Sequence, residues 1–340
     1  IERLSHCIHV INYDMETACP KGGMDDDGKD SVLLQGQIFA LEKSDEYLTL
    51  VKDLYENDLD SLEPYDAKLV KELYKDYKRN EHVDEKTNEE ANDLFSKAYQ
   101  IWYDAKTSKD YSKFSDTLSK IYEMQKKLLL LRDDCKKNDL YTTLFSDYEE
   151  GFTSKDLDEF FEDLEKGIVP LFRKVKASKY VPRHDFLNRK VPVAKQEKFT
   201  DYLLRFNGFD FSRGSVSTTE HPFTDQLGQN DVRVTTKYSE TAFISNMYSV
   251  IHEGGHAIFG QNLPEQVFSS HLGEGSLTMG KHESVSRFYE NVVGRSKEYI
   301  HAIYPYFHEL FHEEMEDVTP DDLYEGVNYV DFNNKIRTEA

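Results

Sequence analysis

Two histidines four residues apart, with a glutamate directly after the first, can hold a metal ion and activate water beside it. His252, Glu253 and His256 have this spacing in the segment ISNMYSVIHEGGHAIFGQ, residues 244–261. On a helix, positions i and i+4 share a face, so both imidazoles can reach one ion. The intervening carboxylate is then placed to take a proton from water, the arrangement of the HExxH motif. Ile244, Met247, Ile251 and Ile258 gather on a separate apolar face, so the histidines are not needed as core fillers. Gly254 and Gly255 point the same way. Two glycines inside a helix cost about 2 kcal/mol relative to alanine. Close approach of another backbone, such as the strand DVRVTTKY, would explain them.

A third ligand must come from elsewhere. Glu283 stands 27 residues beyond His256, in KHESVSRFYENVVGRS. Val285, Phe288, Tyr289, Val292 and Val293 form an apolar stripe there, with Glu283, Arg287 and Glu290 opposite. In an ordinary amphipathic helix the polar face meets only water. Downstream of an HExxH, Glu283 reads as the third ligand. A rival exists in HELFH, residues 308–312, with Glu339 again 27 residues beyond the second histidine. Spacing does not separate the two. Context favours the first: Phe307, Leu310, Phe311 and Met315 make a plain core stripe, and the rival has no paired glycine. His6-Cys7-Ile8-His9 offers ligand types but lacks a second half, and reads as ordinary helix.

The elements that must position these groups are mostly helices. YLTLVKDLYEN repeats apolar residues at Leu48, Val51 and Tyr55. TLSKIYEMQKKLLLLRDD does so at Leu118, Ile121, Tyr122, Met124, Leu128 and Leu129. Residues 80–90 read as a turn or solvated face. From about 151 the texture changes, and the helix opening at TSKDLDEFF is expected to kink or end near Pro170. DVRVTTKY alternates cleanly and predicts a strand, hence a small sheet near the chemistry.

Bulk properties set limits. With 42 basic and 64 acidic residues in 340, the formal net charge is −22, which argues against nucleic acid or an anionic membrane as partner. No apolar run reaches the roughly 18 residues of a membrane span, and the first residues lack a signal-peptide layout. Cys7, Cys19 and Cys135, odd in number and scattered, fit a reducing cytoplasm.

HEGGHAIFGQN, HESVSRFYENVVGRS, HPFT at 221–224, DVRVTT at 231–236, YDMETACPKGG at 13–23 and IRTEA at 336–340 occur in the order of a known family. Together they resemble the carboxypeptidase Taq family of metallocarboxypeptidases. The resemblance implies a mainly α, zincin-like helical metallopeptidase with a small β-sheet beside the active-site helix. It implies a cytoplasmic enzyme, homodimeric at full length, that removes C-terminal amino acids from peptides. One zinc ion per chain is expected, with cobalt as the other candidate. His252, His256 and Glu283 would be the metal ligands and Glu253 the general base. His221, Asp231 and Arg233 would shape the substrate groove, and Arg337 would receive the peptide's free carboxylate, a task suited to arginine's planar fork.

Residues 1–150 are expected to form an N-terminal helical region, one wall of a cleft, and 151–340 the catalytic region. Two departures stand out. Val285 replaces the family's usual glutamine after HES. The IRxxAD motif stops before its aspartate and the later GxxQDxHW motif is absent, so a C-terminally shortened member is expected. A zincin-type endopeptidase, or a module that binds metal or peptide without turnover, are the alternatives.

Overall fold

The computed structural model describes residues 1–268 and 278–330. The chain falls into two compact units, one built from Ile1–Ser154 with Pro264–Thr278, the other from Lys155–Leu263 with Met279–Ala340.

Charged helix-formers dominate the first unit, which contains α1 (Glu2–Thr17), α2 (Met24–Glu42), α3 (Asp45–Asp53), α4 (Pro64–Asn80), α5 (Glu85–Ser108), α6 (Ser112–Leu130) and α7 (Leu140–Phe145). Ser44, Asp84 and Asp139 start α3, α5 and α7 by accepting the backbone N–H three residues on, which satisfies donors that have no partner inside the helix. Ala91, Ala98 and Ala105, seven apart, are buried along α5 and let α2 and α6 pack close to it. The expected stripe on α6 holds for Leu129, which is buried, but Tyr122 is 61% exposed. The turn expected within 80–90 lies between α4 and α5.

The second unit begins with α8 (Ser154–Ala177), which does not end at Pro170, where a kink or an end was expected, and buries none of its residues. Then follow α9 (Val193–Asn207), β1 (Gly214–Thr218), β2 (Thr224–Gly228), β3 (Asp231–Thr236) and α10 (Phe243–Gln261). α11 (Glu265–Phe268) is a short turn of the first unit. After it come α12 (Met279–Arg287) with a π-helical turn at Phe288–Val293, α13 (Lys297–Leu310), α14 (His312–Met315) and α15 (Pro320–Val327). β3 is the middle strand, parallel to β1 and antiparallel to β2. Val232 and Val234 are fully buried, as the alternation of the sequence predicts, but Thr235 and Thr236 are both buried, so the alternation stops there.

α10 is central to this unit, lying against α9, β3, β2 and α12. Phe243, Met247, Val250 and Ile251 are buried in the core, where Phe199 of α9 meets the rings of Phe243, Phe307 and Phe311 at 5.8, 6.0 and 5.2 Å. Polar bonds fix the helix lengthwise. Asn246 donates to Thr236 Oγ1 at 2.7 Å near its start, and Gln226 of β2 donates to the Gly260 carbonyl at 3.0 Å near its end.

α15 carries a capping box: Thr319 Oγ1 accepts from the Asp322 backbone N–H at 3.1 Å, and Asp322 Oδ2 accepts from the Thr319 N–H at 2.9 Å. Thr319→Ala is expected to cost about 1 kcal/mol. In thermal denaturation that corresponds to a midpoint lower by roughly 2–4 °C; an unchanged midpoint would show that water replaces the cap without loss.

Candidate metal centre

The two paired glycines explain how the site closes. A Cβ on Gly255 would lie 3.0 Å from Ser286 Cα and 3.2 Å from Tyr289 Cβ, and one on Gly254 would lie 2.8 Å from Leu204 Cδ2. The close neighbours are therefore α12 and α9, not the DVRVTTKY strand. α12 approaches α10 so nearly that only a hydrogen fits between them at Gly255.

That approach brings Glu283 to the histidines. Its Oε2 lies 3.5 Å from His252 Nε2 and 3.3 Å from His256 Nε2. One ligand atom from each of the three residues falls within 4.8 Å of the others. With ligand bonds of about 2.05 Å, neighbouring donors of a tetrahedral ion stand roughly 3.3 Å apart, so the observed edges fit such an ion. Two imidazoles, one carboxylate and a fourth position left to water or substrate is also the donor chemistry of a catalytic rather than a structural site.

Electrostatics suit a cation. Burial would raise the Glu283 carboxyl, but bonding to His256 and the nearby His252, Ser286 and Arg287 lower it to about 2. Burial likewise works against charge on His252, yet bonding to Glu290 and the charges of Glu253 and Glu283 push its pKa up. Glu253 is 7% exposed. Burial raises its pKa, against the pull of His252, His256 and Thr224. A carboxylate lifted in this way is a stronger base, as a proton-transfer role requires.

Several groups behind these residues escaped the sequence reading. Thr224 Oγ1, in β2, lies 2.9 Å from Glu253 Oε2 and 2.8 Å from its carbonyl oxygen, so the strand next to α10 fixes the base. His256 Nδ1 lies 2.6 Å from His282 Nδ1. His252 Nδ1 lies 2.9 Å from Glu290 Oε2, which leaves its Nε2 facing Glu283. Thr224 sits in the HPFT motif, of which only His221 drew notice. His282 opens the HES motif itself.

α12 and its π-helical turn follow the expected stripe only in part, with Tyr289 and Val293 packed against the core. The buried residues are Ser286 and Glu290, while Phe288 and Val292 of the apolar stripe are 51% and 63% exposed. The polar face points inward because it carries the partners of the α10 histidines.

The other site residues are placed as follows. His221 is exposed just before β2. Asp231 and Arg233 are joined to each other on β3 by a bidentate pair, both bonds 2.9 Å. Arg337 lies outside the described residues, as does Glu339. The rival HELFH does not form one continuous helix, since α13 ends at Leu310 and α14 begins at His312 around a non-helical Phe311. Its histidines belong to none of the potential metal groups among the described residues. Those groups number three, and the other two, Asp14–Cys19–Asp27 and Glu81–His82–Asp133, are more open. Among the described residues no helix is long and apolar enough to cross a membrane.

The chain is similar to several known proteins. Carboxypeptidase 1 of Bacillus subtilis (strain 168) is 34% identical over 331 residues, covering 96% of this chain and 65% of its own length. The crystal structure of BsuCP matches with a TM-score of 0.91 at 34% identity, covering 96% of this chain and 66% of that one. The M32 carboxypeptidase of Deinococcus radiodurans R1 matches with a TM-score of 0.84 at 28% identity, covering 97% and 66%. The chain thus spans about 65% of the length of the first of these relatives. The model of the carboxypeptidase Taq (M32) metallopeptidases matches residues 1–340, and the chain belongs to that family.

Proposed function

We propose that this protein is a zinc-dependent carboxypeptidase that releases amino acids one at a time from the C-terminus of peptides. The observation that carries the reading is the single oxygen of Glu283 lying 3.5 and 3.3 Å from the two histidine nitrogens. Family membership supports the C-terminal direction. In this reading His252, His256 and Glu283 hold one ion. When bound, it supplies a Lewis acid that lowers the pKa of bound water towards about 7 and polarises the scissile carbonyl.

The chain's own groups carry the rest. Glu253, its Oε2 held by Thr224, takes the proton of the attacking water on Oε1 and passes it to the leaving amine. His221, Asp231 and Arg233 line the groove, where an extended peptide can lie along the small sheet. Arg337 binds the terminal carboxylate. We further read the complete protein as a cytoplasmic homodimer. Three free cysteines accord with the first half of that reading.

The test is product analysis on one N-terminally blocked peptide treated with the zinc-loaded protein. A ladder losing single C-terminal residues, stopped by a chelator, is the expected result. Internal fragments would replace the reading with an endopeptidase. One bound zinc with no hydrolysis would replace it with a binding module.

A further inference from the structure

We propose that Arg287 and Glu290 are positioning residues that decide which atoms the centre presents to its ion, and thereby favour a small tetrahedral cation over a larger one. The inference rests on His252, His256 and Glu283 being the ligands. Glu290 is only 5% exposed, an unusual place for a carboxylate unless it is paired. Its Oε2 lies 2.9 Å from His252 Nδ1 and 3.0 Å from Arg287 Nη1. Arg295 Nη2 stands 3.9 Å from its Oε1. Arg287 Nε in turn donates to Glu283 Oε1 at 2.8 Å. One guanidinium thus links the ligand carboxylate to the carboxylate behind a ligand imidazole.

Two consequences follow from this linkage. Glu290 holds the His252 proton on Nδ1, which fixes the ring and keeps the Nε2 lone pair directed at Glu283. Arg287 donates to Oε1 of Glu283 and turns that oxygen away from the histidines, while Oε2, with the Ser286 hydroxyl 3.1 Å away, is the atom near both Nε2 nitrogens. A two-oxygen grip by Glu283, which suits larger, oxygen-preferring ions, is opposed. Lysine cannot replace this bridge, because a point charge does not span two carboxylates as a planar fork does. The spacing carries the same logic: Glu283, Arg287 and Glu290 are i, i+4 and i+7, stacked on the one face of α12 and its π-helical turn that meets α10.

The experiment measures zinc and manganese affinity of the metal-free protein by competition with a chromogenic chelator, in wild type, Glu290→Gln and Arg287→Lys. Glu290→Gln is expected to weaken zinc binding by about 10–100-fold. Arg287→Lys, which keeps the charge and sits at a half-exposed position, is expected to lower the zinc-to-manganese affinity ratio by about tenfold, since a freed Oε1 costs selectivity more than charge. If Glu290→Gln fails to fold, Arg287→Lys decides alone. A ratio unchanged in Arg287→Lys overturns the proposal, as does an unchanged zinc affinity in a folded Glu290→Gln. A wild-type protein that binds no zinc would instead sink the metal-centre reading beneath it.

Discussion

Glu253→Gln is expected to retain one equivalent of zinc and to lose turnover by about 10²–10⁴-fold, the usual worth of a positioned general base. Glutamine has the shape of glutamate and still offers a carbonyl oxygen to Thr224, which lies 2.9 Å from Oε2 in the wild-type protein. The amide cannot take a proton from water at neutral pH, and that is the whole of the intended change. The three groups grouped as ligands, His252, His256 and Glu283, are untouched. Metal analysis and steady-state kinetics on the same sample separate the two effects. Near-normal kcat with zinc bound would remove Glu253 from the chemistry. Loss of zinc would mean that its charge, not its basicity, is what the centre uses.

Gly255→Val is expected to disrupt the centre from a distance. The first atom of the new side chain would lie 3.0 Å from Ser286 Cα, which belongs to backbone and cannot swing aside, and 3.2 Å from Tyr289 Cβ. Overpacking of this kind costs about 1–3 kcal/mol. The gain in helix propensity on replacing glycine offsets only a few tenths of that. If α12 gives way, Glu283 and Glu290 move with it. A donor set tolerates displacements of only about 0.2 Å before bonds near 2 Å are lost. Zinc affinity is therefore expected to fall by at least about tenfold, the size of a damaged supporting shell, along with the thermal midpoint. Gly254→Ala is the comparison: its new atom meets Leu204 Cδ2, the far end of a flexible side chain. Equal zinc affinity in Gly255→Val and wild type would show that α12 has room the structure does not suggest.

His252, Glu253 and His256 were legible in the sequence because helix geometry alone puts i and i+4 on one face. Glu283 was reached from its place downstream of the motif with the surrounding sequence as context, and the strand from its alternation. Where the sequence misled, the cause was a contact with a distant segment. On α12 and its π-helical turn, Tyr289 and Val293 of the apolar stripe pack against the core as expected, but Ser286 and Glu290 are buried too and Phe288 and Val292 are exposed. Periodicity reports that a helix has two unlike faces, but not which neighbour each will meet. Pro170 pointed to a kink or an end of the helix, and α8 does not end there.

The sequence by itself determined the HExxH motif, the mainly helical class, the small sheet and, through its ordered motifs, the family. Spacing left HEGGH and HELFH equal, and the surrounding sequence favoured the first. The tertiary structure adds that α10 is one unbroken helix with a glycine contact to α12, whereas the second motif is split at Phe311. It also decided the supporting groups, Thr224, His282, Arg287 and Glu290. Their roles are hydrogen bonds between segments as far apart in the chain as Thr224 and Glu253, or His252 and Glu290, and no local pattern encodes a distance between segments. HExxH told which atoms could hold an ion; the packing of α10, β2 and α12 determined what holds those atoms.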